Sequence, residues 1–249
     1  MKDIIWPGCR VLNTRPLAQA QKLNDWITKA GGIAVSCPML TIQSTPYAQW
    51  LPSLPNLEKI DQAIFTSSNA VKFFFAAFHN ICTHSPSFWP PTIKIIAIGK
   101  ATAAMLAEYG LMNVTVPPIS TSEQLIELPS LKLVQNQSIL LVKGIGGRDL
   151  IATTLRQRGV NLISVDVYQR QKPATTKKYL QHLWRENGID MIILTSKEAM
   201  QNLVALLGRE ALPWLRGKPC LVISQRLAEC AKEIGMQHIT ILPGFQGLT

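Results

Sequence analysis

Acidic residues are scarce in this 249-residue sequence: 15 Asp and Glu stand against 25 Lys and Arg, a formal net charge of +10. Such a balance points to an anionic partner. Nucleic acid is the first candidate, but its clustered footprint is missing. The basic residues are scattered, Lys177-Lys178 is the longest run, and aromatics do not interleave with them. Scattered charge suits a small polycarboxylate or phosphate ligand better, so no nucleic acid is expected. Long apolar runs are also absent. The densest, from Phe73 to Phe78, falls well short of the roughly 18 residues that span a bilayer. Met1-Lys2-Asp3-Ile4-Ile5-Trp6-Pro7 has no apolar core ahead of a cleavage site, so no signal peptide is expected.

Paired cysteines and metal-spaced histidines are missing as well. Cys9, Cys37, Cys82, Cys220 and Cys230 are odd in number and show no C-x-x-C spacing, which argues against a disulfide framework and a thiolate zinc site. His79, His84, His182 and His238 form no metal-ligand pattern. No Ser/His/Asp or Cys/His arrangement is visible, and there is no G-x-x-x-x-G-K-[ST] run. Gly144-Ile145-Gly146-Gly147 fails the dinucleotide fingerprint because Asp149 holds its sixth position. The expectation is a soluble, cytoplasmic, monomeric protein with buried reduced thiols, no metal, no cofactor and no membrane partner.

What is present is a core and a repeat. Hydrophobic residues make up 47% of the chain and charged residues 16%, which excludes disorder. Ile64-Phe65-Thr66-Ser67 returns as Ile193-Leu194-Thr195-Ser196, 129 residues on, each copy preceded by an aspartate, Asp61 or Asp190. Ile95-Ile96-Ala97-Ile98-Gly99 returns as Cys220-Leu221-Val222-Ile223-Ser224, 125 residues on. The helical stretch ending at Gly110 is echoed by the one ending at Gly235, and both run into a short strand closed by proline, Pro117 or Pro243. Arg10–Arg15 resembles Ser138–Lys143, each followed by a polar turn and a helix, about 16–30 and 148–158, stopped by Gly31-Gly32 or Gly159. Strands are expected next at Ile33–Ser36 and Leu162–Val167. Apolar strands alternating with helices of ten or more residues predict an α/β fold of two similar doubly wound parallel-sheet domains. The polar stretches 38–55 and 170–176 look like domain edges. Either the first domain is discontinuous, 1–37 plus 171–249 around a second domain of 40–168, or the chain divides near residue 125.

Open parallel sheets bind ligands at the carboxyl ends of their strands, against helix N-termini. Thr66-Ser67-Ser68-Asn69 closes one strand here and Thr195-Ser196-Lys197-Glu198 its partner; Gly99-Lys100-Ala101-Thr102 and Ser224-Gln225-Arg226 close a second pair. Lys143-Gly144-Ile145-Gly146-Gly147-Arg148 and Asn13-Thr14-Arg15-Pro16 close two more. The first N–H groups of a helix lack intrahelical partners and carry the positive end of its dipole, so carboxylates and phosphates bind there. Hydroxyls add donors and the basic residues add charge; six such ends on one cleft would make a polyanion receptor. The candidate binding residues are therefore Arg15; Thr66, Ser67, Ser68 and Asn69; Lys100 and Thr102; Gly144, Gly146, Gly147 and Arg148; Thr195, Ser196 and Lys197; Ser224 and Arg226. Any one hydroxyl among them is also explained as an ordinary N-cap. Recurrence at nearly every strand end, with a basic residue beside most, favours the receptor. Among general acids Tyr168 stands out. It ends a strand at a proposed domain edge, placed either to donate a proton or to pack the hinge.

In order along the chain, Thr14-Arg15-Pro16, Phe65-Thr66-Ser67-Ser68-Asn69-Ala70-Val71, Ala97-Ile98-Gly99-Lys100-Ala101-Thr102, Pro117 with Ser120-Thr121-Ser122-Glu123, Gly144–Arg148, Val167-Tyr168-Gln169-Arg170, Leu194-Thr195-Ser196 and Val222-Ile223-Ser224 resemble the uroporphyrinogen-III synthase family. The resemblance implies two α/β domains joined by a two-stranded ladder, the first built from both chain ends. It implies a cofactor-free lyase that cyclises hydroxymethylbilane, a linear tetrapyrrole with eight carboxylates. Water is lost, and the last pyrrole ring is inverted through an azafulvene and a spiro intermediate. The family's tyrosine corresponds to Tyr168, in the role of assisting departure of the hydroxyl. The chain departs from the pattern at Ser224 and Leu227, where many members have Gly and Thr, and its residues after Pro243 are too few for the usual final helix. The alternative from the residues alone is a non-catalytic two-domain binding protein for a small polyanion.

Overall fold

The computed structural model describes residues 6–81, 89–173 and 176–242. Along the chain lie β1 (Arg10–Asn13), α1 (Leu17–Lys29), β2 (Ile33–Ser36), β3 (Thr41–Ser44), α2 (Tyr47–Trp50), β4 (Gln62–Phe65), α3 (Ser68–Ile81), β5 (Lys94–Ala97) and α4 (Lys100–Glu108). Then come β6 (Val114–Thr115), α5 (Ser122–Ile126), β7 (Ser138–Gly144), α6 (Leu150–Gln157), β8 (Asn161–Gln171), α7 (Thr176–Arg185), β9 (Met191–Leu194), α8 (Lys197–Leu207), α9 (Leu212–Arg216), β10 (Pro219–Val222), α10 (Gln225–Glu233) and β11 (His238–Ile241). Two compact units result, one of residues 1–42 and 171–249, the other of 43–170.

The two sheets have the same strand order. The first unit runs β11-β10-β9-β1-β2; the second runs β6-β5-β4-β7-β8, with β3 added beyond β8. Every pairing in the first unit, and those of β4, β5, β6, β7 and β8 with one another, is parallel. β4, β5 and β6 thus correspond to β9, β10 and β11, and β7 and β8 to β1 and β2. The repeated aspartates have a matching job. The Asp61 carboxylate accepts from the Ser138 backbone N–H at 2.8 Å, and Asp190 accepts from that of Arg10 at 2.8 Å. Each pins the amino end of the strand beside its own. Asp190 also meets the Arg10 guanidinium at 2.8 Å, and that hydrogen bond, more than any other cause, lowers its pKa to about 2.

Period-2 alternation divides each sheet between two cores, because both faces of a parallel sheet are covered. In the first unit Leu12, Ile192, Leu194, Cys220 and Val222 point to one core and Val11, Ile193 and Leu221 to the other, where Leu23 and Ile27 of α1 cover them. In the second, Ile64, Ile96, Ile139 and Leu141 pack on Leu125, Leu155 and Ile151, while Phe65 turns to the opposite face and meets Phe74 of α3 at 5.7 Å.

Several sequence-based boundaries shift. The helix expected from Arg148 starts at Leu150, since Gly146 (φ 78°) and Gly147 (φ 92°) hold left-handed backbone that only glycine adopts readily. The strand expected to end at Val167 continues to Gln171, so Tyr168 lies inside β8 rather than at its end. The stretch 38–55, read as a domain edge, contains β3 and α2. The expectation about a final helix concerns residues 243–249, which lie outside the described residues, as do Cys82 and His84. Among the described residues no helix is long and apolar enough to cross a membrane.

Candidate active site

Strand order reverses between β4 and β7 in one unit and between β9 and β1 in the other, and a doubly wound sheet opens its ligand crevice at the carboxyl side of such a switch point. In the second unit that point holds a hydroxyl cluster. β7 and β8 pair in regular register until Lys143 faces Asp166; there the register slips, and Gly144 faces Tyr168. The slip brings the Tyr168 ring over Gly144. A Cβ on Gly144 would lie 2.5 Å from the ring carbon Cζ, so only glycine leaves room for the ring. Phe73 of α3 stacks on the same ring, centroids 5.9 Å apart. Tyr168 is 2% exposed.

The ring's hydroxyl meets two groups. Ser67 Oγ lies 3.1 Å away, and the Arg170 guanidinium donates to the phenolic oxygen at 3.2 Å, with its Cζ 5.5 Å from the ring centroid. Ser67 Oγ in turn accepts from the Ala70 N–H at 3.0 Å, capping α3. Thr66 donates to the Val142 carbonyl at 3.2 Å, tying the ends of β4 and β7 together. This cluster can deliver a single proton at the mouth of a helix N-terminus.

The first unit repeats the plan with different chemistry. At the end of β1, Thr14 donates to the Ile193 carbonyl of β9 at 3.1 Å, as Thr66 does to β7. Asn13, fully buried, accepts from the Arg15 N–H at 3.0 Å and donates to Asn24 at 2.8 Å. Arg15 is 8% exposed. Its Nη2 reaches Gln19 at 3.4 Å, while its buried Nε has no acceptor among the described residues. Burial pulls its pKa below the ordinary arginine value. A buried guanidinium this poorly matched can still pair with a carboxylate.

The other predicted residues divide by environment. Ser196 Oγ accepts from the Ala199 N–H at 3.1 Å and Ser224 Oγ from the Leu227 N–H at 3.3 Å, so both cap helices, α8 and α10, as Ser67 caps α3. Gly99 stands at the equivalent place before α4, with Ser120 filling the space its side chain would need: a Cβ there would fall 2.2 Å from Ser120 Oγ. Ser68, Asn69 and Thr195 are half-buried at the same strand ends. Lys100, Lys197 and Arg226 are exposed on the first turns of their helices, and Gly146 and Gly147 are exposed in the loop before α6. Arg148 is exposed and paired with Glu123. Thr102 is 3% exposed, buried like its counterpart Leu227. Phe73, Asn13 and Arg170 were not among the candidate binding or catalytic residues. Arg170 was detectable, since two residues along a strand share one face. Among the described residues, no group of three His, Cys, Asp or Glu side chains could hold a metal ion.

A family model described as "Uroporphyrinogen-III synthase HemD" matches residues 21–246. The chain belongs to the uroporphyrinogen-III synthase family. The uroporphyrinogen-III synthase of Escherichia coli (strain K12) is 30% identical over 239 residues, covering 93% of this chain and 94% of its own. That of Salmonella typhimurium (strain LT2) is 29% identical over 239 residues, with coverage of 93% and 94%. Among solved structures, a mutant uroporphyrinogen III synthase from the extremely thermophilic bacterium Thermus thermophilus aligns with a TM-score of 0.67 at 18% identity, covering 95% of this chain and 94% of that one. The enzyme from Helicobacter pylori 26695 aligns at 0.57 and 15% identity, covering 97% and 96%. These two share the fold, two-domain α/β with parallel sheets, that the strand and helix alternation predicted. Family membership also bears out the resemblance read from the eight ordered motifs.

Proposed function

We propose that this chain closes hydroxymethylbilane to uroporphyrinogen III, inverting the last pyrrole ring and releasing water, with Tyr168 as the proton donor. Family membership supports the reaction, and the observation that carries the residue assignment is the Tyr168 hydroxyl between Ser67 and Arg170 at a switch-point strand end. The substrate hydroxyl takes the place of Ser67 as acceptor of the phenolic proton. It leaves as water while the pyrrole nitrogen lone pair forms the azafulvene cation. After closure, the proton shed by the ring carbon restores the phenol, so the enzyme ends as it began.

Spontaneous closure gives the uninverted isomer, so the protein's larger task is to hold the chain in the productive shape. Eight carboxylates require many donors. The first unit offers Arg15, with its unsatisfied Nε, and the exposed Lys197 and Arg226; the second offers the exposed Lys100 and Arg148 once released from Glu123; each adds the hydroxyls and first N–H groups at its own strand ends. A charge-assisted hydrogen bond contributes about 1.5–3 kcal/mol, so a few of these suffice to fix the substrate. We place the reaction in the cytoplasm, where thiols stay reduced. Burial pushes Cys37 and Cys220 up to about 12, which keeps both protonated and inert. A non-catalytic polyanion-binding protein is not favoured by the family.

Replacing Tyr168 with Phe removes the proton and keeps the ring over Gly144. The expected result is a loss of about 10²–10⁴ in kcat with unchanged near-ultraviolet circular dichroism. An unchanged kcat removes Tyr168 from the mechanism.

A further inference from the structure

We propose that Arg170 is a positioning residue for the reaction: it fixes the Tyr168 oxygen as an acceptor and so directs the phenolic proton toward the departing hydroxyl. The inference rests on the role given to Tyr168 above. Tyr168 and Arg170 stand two apart on β8 and therefore share a face. The guanidinium has donors and no acceptor. Its contact with the phenolic oxygen at 3.2 Å therefore has only one polarity. With that lone pair occupied, the phenolic proton points elsewhere, and Ser67 Oγ at 3.1 Å, or whatever replaces it, stands where it can accept that proton. When that proton leaves, negative charge develops on an oxygen already bonded to a cation, and the bond strengthens in the state that matters. A neutral donor in this place would orient the hydroxyl but would not offset that charge. A direct substrate contact by Arg170 would instead act on affinity.

A double-mutant cycle separates these roles. Arg170→Met, Arg170→Lys, Tyr168→Phe and the double variant Arg170→Met with Tyr168→Phe are assayed for kcat and KM on hydroxymethylbilane. Hydrogen bonds to charged groups predict that Arg170→Met lowers kcat about ten- to hundredfold. KM is expected to stay within about twofold, Arg170→Lys to recover part of the loss by restoring the charge, and Arg170→Met to cost nothing further once Tyr168 is Phe. Three results overturn the proposal. They are an unchanged kcat in Arg170→Met, the same fold loss in both backgrounds, which marks a structural role, and a KM increase in both, which marks a direct contact with substrate. Full activity in Tyr168→Phe overturns the assignment of Tyr168 and this inference with it; a slow Tyr168→Phe beside an unaffected Arg170→Met overturns only this inference.

Discussion

Gly144 is the position where a single methyl group should disable the site without touching a polar atom. An added Cβ would stand 2.5 Å from Tyr168 Cζ and 2.8 and 2.9 Å from the two flanking ring carbons. Carbon atoms settle at about 3.5–4.0 Å, so the ring must retreat by roughly 1 Å. Phe73 stacks on the ring, which limits that retreat. A 1 Å shift takes the hydroxyl away from partners now at 3.1 and 3.2 Å, past the range of a useful hydrogen bond. Overpacking of this kind costs about 1–3 kcal/mol. In a chain of this size that lowers the melting temperature by roughly 2–12 °C. Misplacing a reacting group by about 1 Å costs on the order of a hundredfold in rate. Purified Gly144→Ala should therefore melt lower and turn over hydroxymethylbilane far more slowly. Because the clash is with the ring, Tyr168→Ala should absorb it, leaving the double variant no less stable than Tyr168→Ala alone. A Gly144→Ala protein with parental melting temperature and rate would refute the packing argument. A double variant that shows both penalties in full would refute its attribution to the ring.

Arg15→Met should leave stability unchanged or raise it by about 1 kcal/mol, because a buried guanidinium with an unsatisfied Nε gives way to an apolar chain of similar length. KM for hydroxymethylbilane should rise at least about tenfold as a carboxylate contact is lost. A less stable protein with unchanged KM would contradict both halves. The Asp190 pKa, lowered to about 2 chiefly by its hydrogen bond with Arg10, means that this bond stabilises the folded chain fully above the unfolded value near 3.8 and is lost as pH falls through about 2. Its side chain is 39% exposed, so solvent screening keeps the contribution to under about 1 kcal/mol. Melting temperatures of the parent and Asp190→Asn should differ at pH 6 and converge as the pH is lowered through 4 toward 2; a constant gap would contradict the assignment.

The parallel cores were legible because buried parallel strands are continuous apolar runs, and runs such as Ile64-Phe65 and Ile193-Leu194 repeat with their flanking Thr-Ser pairs intact. Asp61 and Asp190 were legible as a pair but not in their work, which depends on strands 77 and 180 residues away coming alongside. Tyr168 was singled out, yet its strand was cut short. The apolar pattern stops at Val167 while hydrogen bonding continues through the polar Gln169, Arg170 and Gln171. The register slip at Gly144 leaves no mark in composition, so a glycine chosen as a ligand cradle turned out to make room for a ring. Ser67, Ser196 and Ser224 show why N-caps and ligand sites look alike in sequence: each does cap its helix, and each also stands where a ligand would meet the helix dipole. Arg15 was picked out for its charge alone. What sets it apart from the exposed cations is burial with an unsatisfied Nε, and that exists only once Asn13 and α1 have closed around it.

The protein imposes inversion of one ring on a substrate that cyclises without help to the uninverted product. Freshly generated hydroxymethylbilane should be incubated with the purified chain, the products oxidised, and the two uroporphyrin isomers separated chromatographically. Type III should be the dominant product, formed at a rate proportional to enzyme concentration. Type I alone, in an assay where an authentic synthase yields type III, would contradict it.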